Sequence, residues 1–165
     1  MTESSLGSRL VAGLVERGLT VATAESLTGG LVCAELVSVP GASAVVRGGV
    51  VAYAADVKTG VLGVEADLVD AHGTIDEQVA AEMARGARRT LGADVGLATT
   101  GNAGPDASEG QPVGRVWIAV AMPEGVSTER LDLVGDRAAV RTGAVAAVLS
   151  HALARLTEEA ETPRR

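Results

Sequence analysis

A three-layer α/β/α domain around a mixed, mostly parallel sheet of about five strands is the fold class the sequence predicts, and three observations predict it. Short runs rich in Val, Ala and Thr alternate with stretches of helical spacing, two strand-like runs near the end are joined only by a tight turn, and the apolar residues are nearly all small. With 47% hydrophobic but 1% aromatic residues, no Phe, one Trp and one Tyr, the core must be built from Val, Leu and Ala, side chains that suit closely packed layers. At 165 residues the whole chain, 1–165, reads as one domain, large enough to bury its core without disulfides or metal.

Leu6, Leu10, Val11, Leu14 and Val15 recur at helical spacing and stop at Gly18, and Leu19–Ala24 then forms a short β-prone run ending in Glu25. From Thr28-Gly-Gly an apolar stretch, Leu31–Val39, closed by Pro40 and Gly41, predicts a second helix with Ser26 or Thr28 as its amino-terminal cap. Val45–Ala54 reads as a central strand, Asp56–Leu62 as a short helix carrying Lys58 one turn in, and Ala66–His72 as another helical piece. The stronger helix Asp76–Leu91 follows, with Thr74 and Glu77 spaced as a capping box. Asp94–Thr100 is a third strand, leading into the Gly- and Pro-bearing loop Gly101–Val113. Arg115–Ala121 and Val126–Val134 form a hairpin around the turn Met122–Gly125. Asp136 begins a long final helix whose Val140, Ala144, Val148, Leu149, Ala152 and Leu156 make one apolar stripe, and the charged segment Thr157–Arg165 is expected to fray.

A net charge of −7 without any basic cluster argues against a nucleic-acid surface. No stretch reaches the length of a membrane span, and no leader is expected in Met1–Leu10; the single cysteine, Cys33, fits a reducing compartment, so a cytoplasmic location is expected. The histidines His72 and His151 lie far from Cys or acidic clusters, so no metal is expected. Lys58-Thr59 would need glycines at positions held by Ala52 and Val57 to form a phosphate-binding loop, and the Gly101–Gly104 pair lacks a dinucleotide-binding spacing.

Lys58 is the only lysine among 14 Lys and Arg residues, and only a lysine moved out of water can become an amine base near neutral pH. Ser26, at a strand-to-helix turn beside free backbone N–H groups, is a candidate nucleophile, although its residue type and position by themselves favour a plain helix cap, because Ser and Thr before helices are common and Gly-x-Ser-x-Gly is absent. Both residues follow predicted parallel strands at one sheet edge, where open α/β sheets bind ligands, and the third strand delivers Thr100-Gly-Asn-Ala-Gly-Pro105 to that edge. Cys33, within an apolar run, reads as an inert buried thiol. Tyr53 either offers a hydroxyl or a stacking face, or is a half-buried strand residue. Arg137 and Arg141, at the amino-terminal end of the last helix, oppose its dipole and so point either to an anionic ligand or to a solvated face.

Five blocks in order, Ala24-Glu-Ser-Leu-Thr-Gly-Gly30, Gly48-Gly-Val-Val-Ala-Tyr53 with Lys58 and Leu62-Gly63, Thr100-Gly-Asn-Ala-Gly-Pro105, Pro112-Val-Gly-Arg-Val-Trp117, and Gly135-Asp-Arg137 with Arg141, resemble the CinA carboxy-terminal domain family across nearly the whole chain. The family includes stand-alone nicotinamide-nucleotide amidohydrolases. The resemblance implies hydrolysis of nicotinamide mononucleotide to nicotinate mononucleotide and ammonia in pyridine nucleotide salvage, without metal or organic cofactor. On it, Ser26 is the nucleophile, Lys58 its base and later the acid for ammonia, and Tyr53 and Thr28 assist. Glu25, Gly29, Gly30, Thr100, Gly101, Asn102, Ala103 and Gly104 would meet substrate or bind the oxyanion through backbone N–H groups around Thr28–Gly30 or Gly101–Gly104, with Arg137 and Arg141 on its phosphate.

Asn102 stands where the Gly-x-Ala-Gly-Pro block usually carries an apolar residue, so the loop should pack or bond differently; Leu27 replaces a frequent cysteine, with little consequence expected. The amino-terminal domain that accompanies many relatives is expected to be absent. The resemblance also implies a homodimer, with a small-molecule nucleotide as partner and neither nucleic acid nor membrane. The competing reading is a non-catalytic nucleotide-binding or partner-interaction domain; an amidase for another small amide is a third.

Overall fold

In the computed structural model, which describes residues 4–161, the Ser5 hydroxyl accepts from the Ser8 N–H at 3.1 Å and starts helix α1 (Leu6–Arg17); Gly18, in the left-handed region at φ 63°, ends it. Strand β1 (Val21–Glu25), helix α2 (Leu31–Val37), a single 3₁₀ turn (Ala42–Ala44) and strand β2 (Val46–Val51) follow. Helices α3 (Ala55–Leu62), α4 (Ala66–His72) and α5 (Glu77–Leu91) precede strand β3 (Val95–Gly101), the hairpin β4 (Arg115–Met122) and β5 (Gly125–Asp132), and helix α6 (Arg137–Glu161). The five strands form one mixed sheet in the order β2-β1-β3-β4-β5, parallel across β2-β1-β3 and antiparallel beyond.

Alternation along the strands splits the interior into two cores, one on each face of the sheet. On one face Val116, Ile118, Val120 and Met122 of β4, with Val95 and Leu97 of β3, pack under α1, α2 and α6. On the other, Ala98, Ala119 and Ala121 meet α3 and α5 through Leu62, Val79, Met83 and Ala84. That second interface is built from small side chains because helix and sheet nearly touch: a Cβ on Gly96 of β3 would run into the Ala84 carbonyl of α5, while within the helical layer a Cβ on Gly86 of α5 would run into the Leu62 carbonyl of α3. The expected stripe of α6, from Val140 to Leu156, is buried throughout.

Four local expectations are corrected. Val45–Ala54 does not give a central strand: β2 pairs only with β1 and stands at the sheet edge, because β3 takes the other side of β1. Helix α2 starts from Gly30, at φ 100°, rather than from Ser26 or Thr28, and no side chain of Gly30's own can cap it. Helix α5 is capped by Asp76, whose Oδ1 accepts from Gln78 and Val79 N–H groups at 2.8 and 3.3 Å, while Thr74 turns away to another partner. Helix α6 runs on to Glu161 through the first part of the segment expected to fray, and 162–165 lie outside the described residues. Among the described residues, no helix is long and apolar enough to cross a membrane.

Candidate active site

Strands β1 and β3 run side by side in parallel, β1 ending opposite Thr99, and the Ser26 N–H continues their ladder by donating to the Thr99 carbonyl at 2.9 Å. Ser26 therefore stands just past the carboxyl end of β1, on the sheet edge where a ligand meets the strand ends. Its carbonyl accepts the Gly29 N–H at 3.1 Å, turning the chain toward α2. On the other side of β1, the Ala52 N–H donates to the Glu25 carbonyl at 2.8 Å, which carries the β1–β2 pairing to the point where the chain enters α3. One turn into that helix, Lys58 points back at the strand ends. Its Nζ donates to Ser26 Oγ at 3.0 Å, to the Ala52 carbonyl at 2.7 Å and to the Tyr53 carbonyl at 3.3 Å.

Lys58 is completely buried and, among the described residues, no carboxylate lies within ion-pair distance of it. Burial disfavours its ammonium and brings its pKa down to about 8, against a smaller upward pull from the charge of Glu109. The result is a lysine that is partly neutral near physiological pH, in hydrogen-bond contact with a serine hydroxyl.

Beneath this pair lies a buried carboxylate. Glu25 accepts from the hydroxyls of Thr28 at 2.7 Å and Thr23 at 3.2 Å, and from the N–H groups of Gly30 at 3.1 Å, Val32 at 2.9 Å and Cys33 at 2.8 Å. It supplies the cap that Gly30 cannot, satisfying the first free donors of α2 and placing a negative charge at the positive end of the helix. Thr28 is likewise fully buried and shares its hydroxyl with Thr99 at 2.7 Å. Glu25 and Thr28 thus hold the Ser26 turn from below. Cys33 is partly exposed; burial, and then the Glu25 charge, push its thiol pKa up, against a smaller lowering by a hydrogen bond with Thr23, so it is a poor nucleophile.

A cavity of about 430 Å³ opens above Ser26. Of the residues singled out from the sequence, Ser26, Tyr53, Gly101, Asn102, Ala103, Gly104 and Arg137 line it, and Lys58 sits behind Ser26. Glu25, Thr28, Gly29, Gly30, Thr100 and Arg141 do not line it. Arg141 instead donates to the carbonyls of Leu27 at 2.8 Å and Thr28 at 3.3 Å, bracing the Ser26 turn from α6. Thr100 donates to the Thr74 carbonyl at 2.6 Å. Tyr53 is exposed beyond the end of β2, not half-buried within it, and its hydroxyl accepts from Arg137 at 3.2 Å; Arg137 also donates to the Gly104 carbonyl at 2.7 Å.

Asn102 explains its own departure from an apolar residue. Its amide donates to the carbonyls of Asp106 and Gln111 at 2.9 and 3.2 Å and accepts from the Gly104 N–H at 2.9 Å, so the side chain is the inner strut of the loop. The Gly29, Gly30 and Gly104 N–H groups expected at an oxyanion are taken by Ser26, Glu25 and Asn102. The cavity wall also includes Leu27 and residues that sequence reasoning passed over, Thr74 and Ile75 from the turn between α4 and α5 and the loop residues 105–109, which are brought there by the paths of that turn and of the loop. Among the described residues, no group of His, Cys, Asp and Glu could hold a metal ion. His151, set between Ser127 Oγ at 2.6 Å and Glu129 at 3.3 Å, ties β5 to α6 away from this edge.

The sequence profile of the CinA C-terminal domain matches residues 3–156. A competence-damage inducible protein of Desulforamulus reducens is 50% identical over 139 residues, and a CinA-like protein of Frankia casuarinae is 48% identical over 147 residues; these cover 84% and 89% of this chain. In both cases the match takes up 34% of the relative, so the chain spans about a third of the length of these curated relatives. Among solved structures, a competence-damaged protein (CinA) superfamily member from Klebsiella pneumoniae superposes with a TM-score of 0.90 at 34% identity, covering 93% of this chain and 96% of that one. A competence/damage inducible protein from Agrobacterium tumefaciens gives 0.86 at 36% identity, covering 92% and 93%. With the five sequence blocks gathered around one sheet edge, and this agreement over nearly the full length, the chain belongs to the CinA C-terminal domain family.

Proposed function

We propose that the protein is an amidohydrolase in which Ser26 is the nucleophile and Lys58 the base, acting on the carboxamide of nicotinamide mononucleotide. The observation that carries this reading is the fully buried Lys58 amine, with its pKa lowered to about 8, at 3.0 Å from Ser26 Oγ. Neutral Lys58 takes the Ser26 proton as Oγ adds to the amide carbon. The lysine then gives that proton to the departing amine as the C–N bond breaks, releasing ammonia and leaving an ester on Ser26. Water, deprotonated by Lys58, cleaves the ester to the carboxylate and restores the serine.

The Leu27 and Ala103 N–H groups have no hydrogen-bond partner among the described residues, and both residues line the cavity, so they are the backbone donors for the developing oxyanion. Arg137 has two of its five N–H donors engaged and is exposed at the cavity wall, which leaves donors for the phosphate. A volume of about 430 Å³ is in the range of small-ligand pockets.

The test is ammonia release from nicotinamide mononucleotide by the parent, Ser26→Ala and Lys58→Arg. Both variants should lose at least about a thousandfold in kcat while remaining folded, since Arg keeps the charge but cannot give up its proton. Turnover by Lys58→Arg near the parent value removes Lys58 from the chemistry. A parent that is stabilised by the nucleotide but releases no ammonia is instead a binding domain.

A further inference from the structure

Glu109 is the one residue other than glycine, among those described, with a left-handed backbone, at φ 52°. An L residue stays in that region where surrounding contacts enforce it. Here the Glu109 carboxylate accepts from the Thr74 N–H at 2.6 Å, the Thr74 hydroxyl at 2.8 Å and the Ile75 N–H at 3.4 Å. Gly73 makes the approach possible, since a Cβ there would lie 2.5 Å from Glu109 Oε2. The Thr74 carbonyl in turn accepts the Thr100 hydroxyl at 2.6 Å. The end of β3, the turn between α4 and α5, and the outer arm of the 101–114 loop are thereby joined, and Thr74, Ile75 and Glu109 all face the cavity above Ser26.

We propose that Glu109 is a positioning residue of the Ser26–Lys58 site: its carboxylate clasps the Gly73–Ile75 turn and holds the outer arm of the loop as the wall against which substrate binds. The proposal rests on the hydrolytic reading of that site. An arm released from the turn has to be ordered each time substrate binds, and this cost falls equally on the ground state and the transition state. Glu109 also acts at a distance. The charged or titratable groups of the cavity around Lys58 are Tyr53 from the β2–α3 connection, Asp106 and Glu109 from the loop, and Arg137 from α6. Of these, Glu109 is the group whose charge is felt at Lys58, where it favours the ammonium.

The experiment is kcat and KM for nicotinamide mononucleotide across the neutral to alkaline range, for the full chain, Glu109→Ala and Glu109→Gln. Glu109→Ala should raise KM about tenfold with kcat within about twofold. Glu109→Gln keeps an acceptor oxygen at the same reach and should restore most of KM. In both variants the acid limb of kcat/KM should move to lower pH, because the charge favouring the lysine ammonium has gone. Unchanged KM in Glu109→Ala, or an acid limb that stays in place in both variants, overturns the proposal. If the parent releases no ammonia, the hydrolytic reading fails instead, and amide exchange at Thr74 and Ile75 decides the clasp alone. Faster exchange in Glu109→Ala supports it, and unchanged exchange overturns it.

Discussion

Lys58 is a buried cation, and its burial carries a cost. Its Nζ is sealed from water and bonded to one hydroxyl and two carbonyls, which serve an ammonium but do not neutralise it. The folded chain releases this proton near pH 8, whereas an open chain holds it until roughly 10.4. Between those values the unfolded state binds more protons, so stability rises with pH through the window, and the gain is lost again as pH falls from about 10.4 to about 8. The full effect is on the order of 3 kcal/mol. Urea unfolding at stepped pH should show that rise in the parent and not in Lys58→Met, a variant that leaves the opposing contribution of the Cys33 thiol in place. An equal slope in both proteins would assign the effect elsewhere. The Ser26–Lys58 pair was legible in the sequence because a lone lysine and a turn serine both follow parallel strands. The inward turn of Glu25 and Thr28, and the use of Arg141 as a brace, were not, because side-chain direction at a turn depends on which donors the next helix leaves open.

Among the elements, the joint between β1 and α2 depends most on one residue. Five donors converge on the Glu25 carboxylate, three of them backbone N–H groups at the start of α2. Glu25→Gln replaces one acceptor oxygen with an NH₂ that faces donors, leaving at least one buried N–H unpaired and removing the charge at the helix end. The expected cost is on the order of 3 kcal/mol by denaturant unfolding, with turnover falling as the Ser26 turn loosens. A loss below about 1 kcal/mol would mean that α2 is held mainly by its apolar face. The order of helices and strands could be read from periodicity because each element has one buried face. The edge position of β2 could not: its valines suit a central strand, and only the pairing of β1 with β3 excludes it. Caps were misplaced for a related reason. Ser26, Thr28 and Thr74 are good capping residues by type, yet each is bound to something that lies distant in sequence or across the sheet.

At the scale of the whole molecule, the sheet separates two cores of different grain, one of larger aliphatic side chains under α1, α2 and α6, the other mainly of alanines under α3 and α5. Leu14 lies wholly in the first and Met83 wholly in the second. Leu14→Ala and Met83→Ala should each cost about 2–5 kcal/mol, and the double variant should match their sum within about 0.5 kcal/mol because they share no partner. A coupling well above that would show the sheet passing strain from one face to the other. The three-layer class was legible because small apolar residues and alternating element types leave few other ways to cover a sheet. The closeness of α5 to β3 and to α3 emerged only with the backbone, where Gly96 and Gly86 respectively leave no room for a methyl group.

The burial of Lys58 reaches beyond chemistry at the strand ends. It is the only side-chain amine in the sequence, and it has no exposed surface. An acylating reagent in solution can capture it only when the junction of β1, β2 and α3 opens, so the growth of a single covalent adduct on Lys58 is a clock for the breathing of the same structural corner that holds the candidate nucleophile.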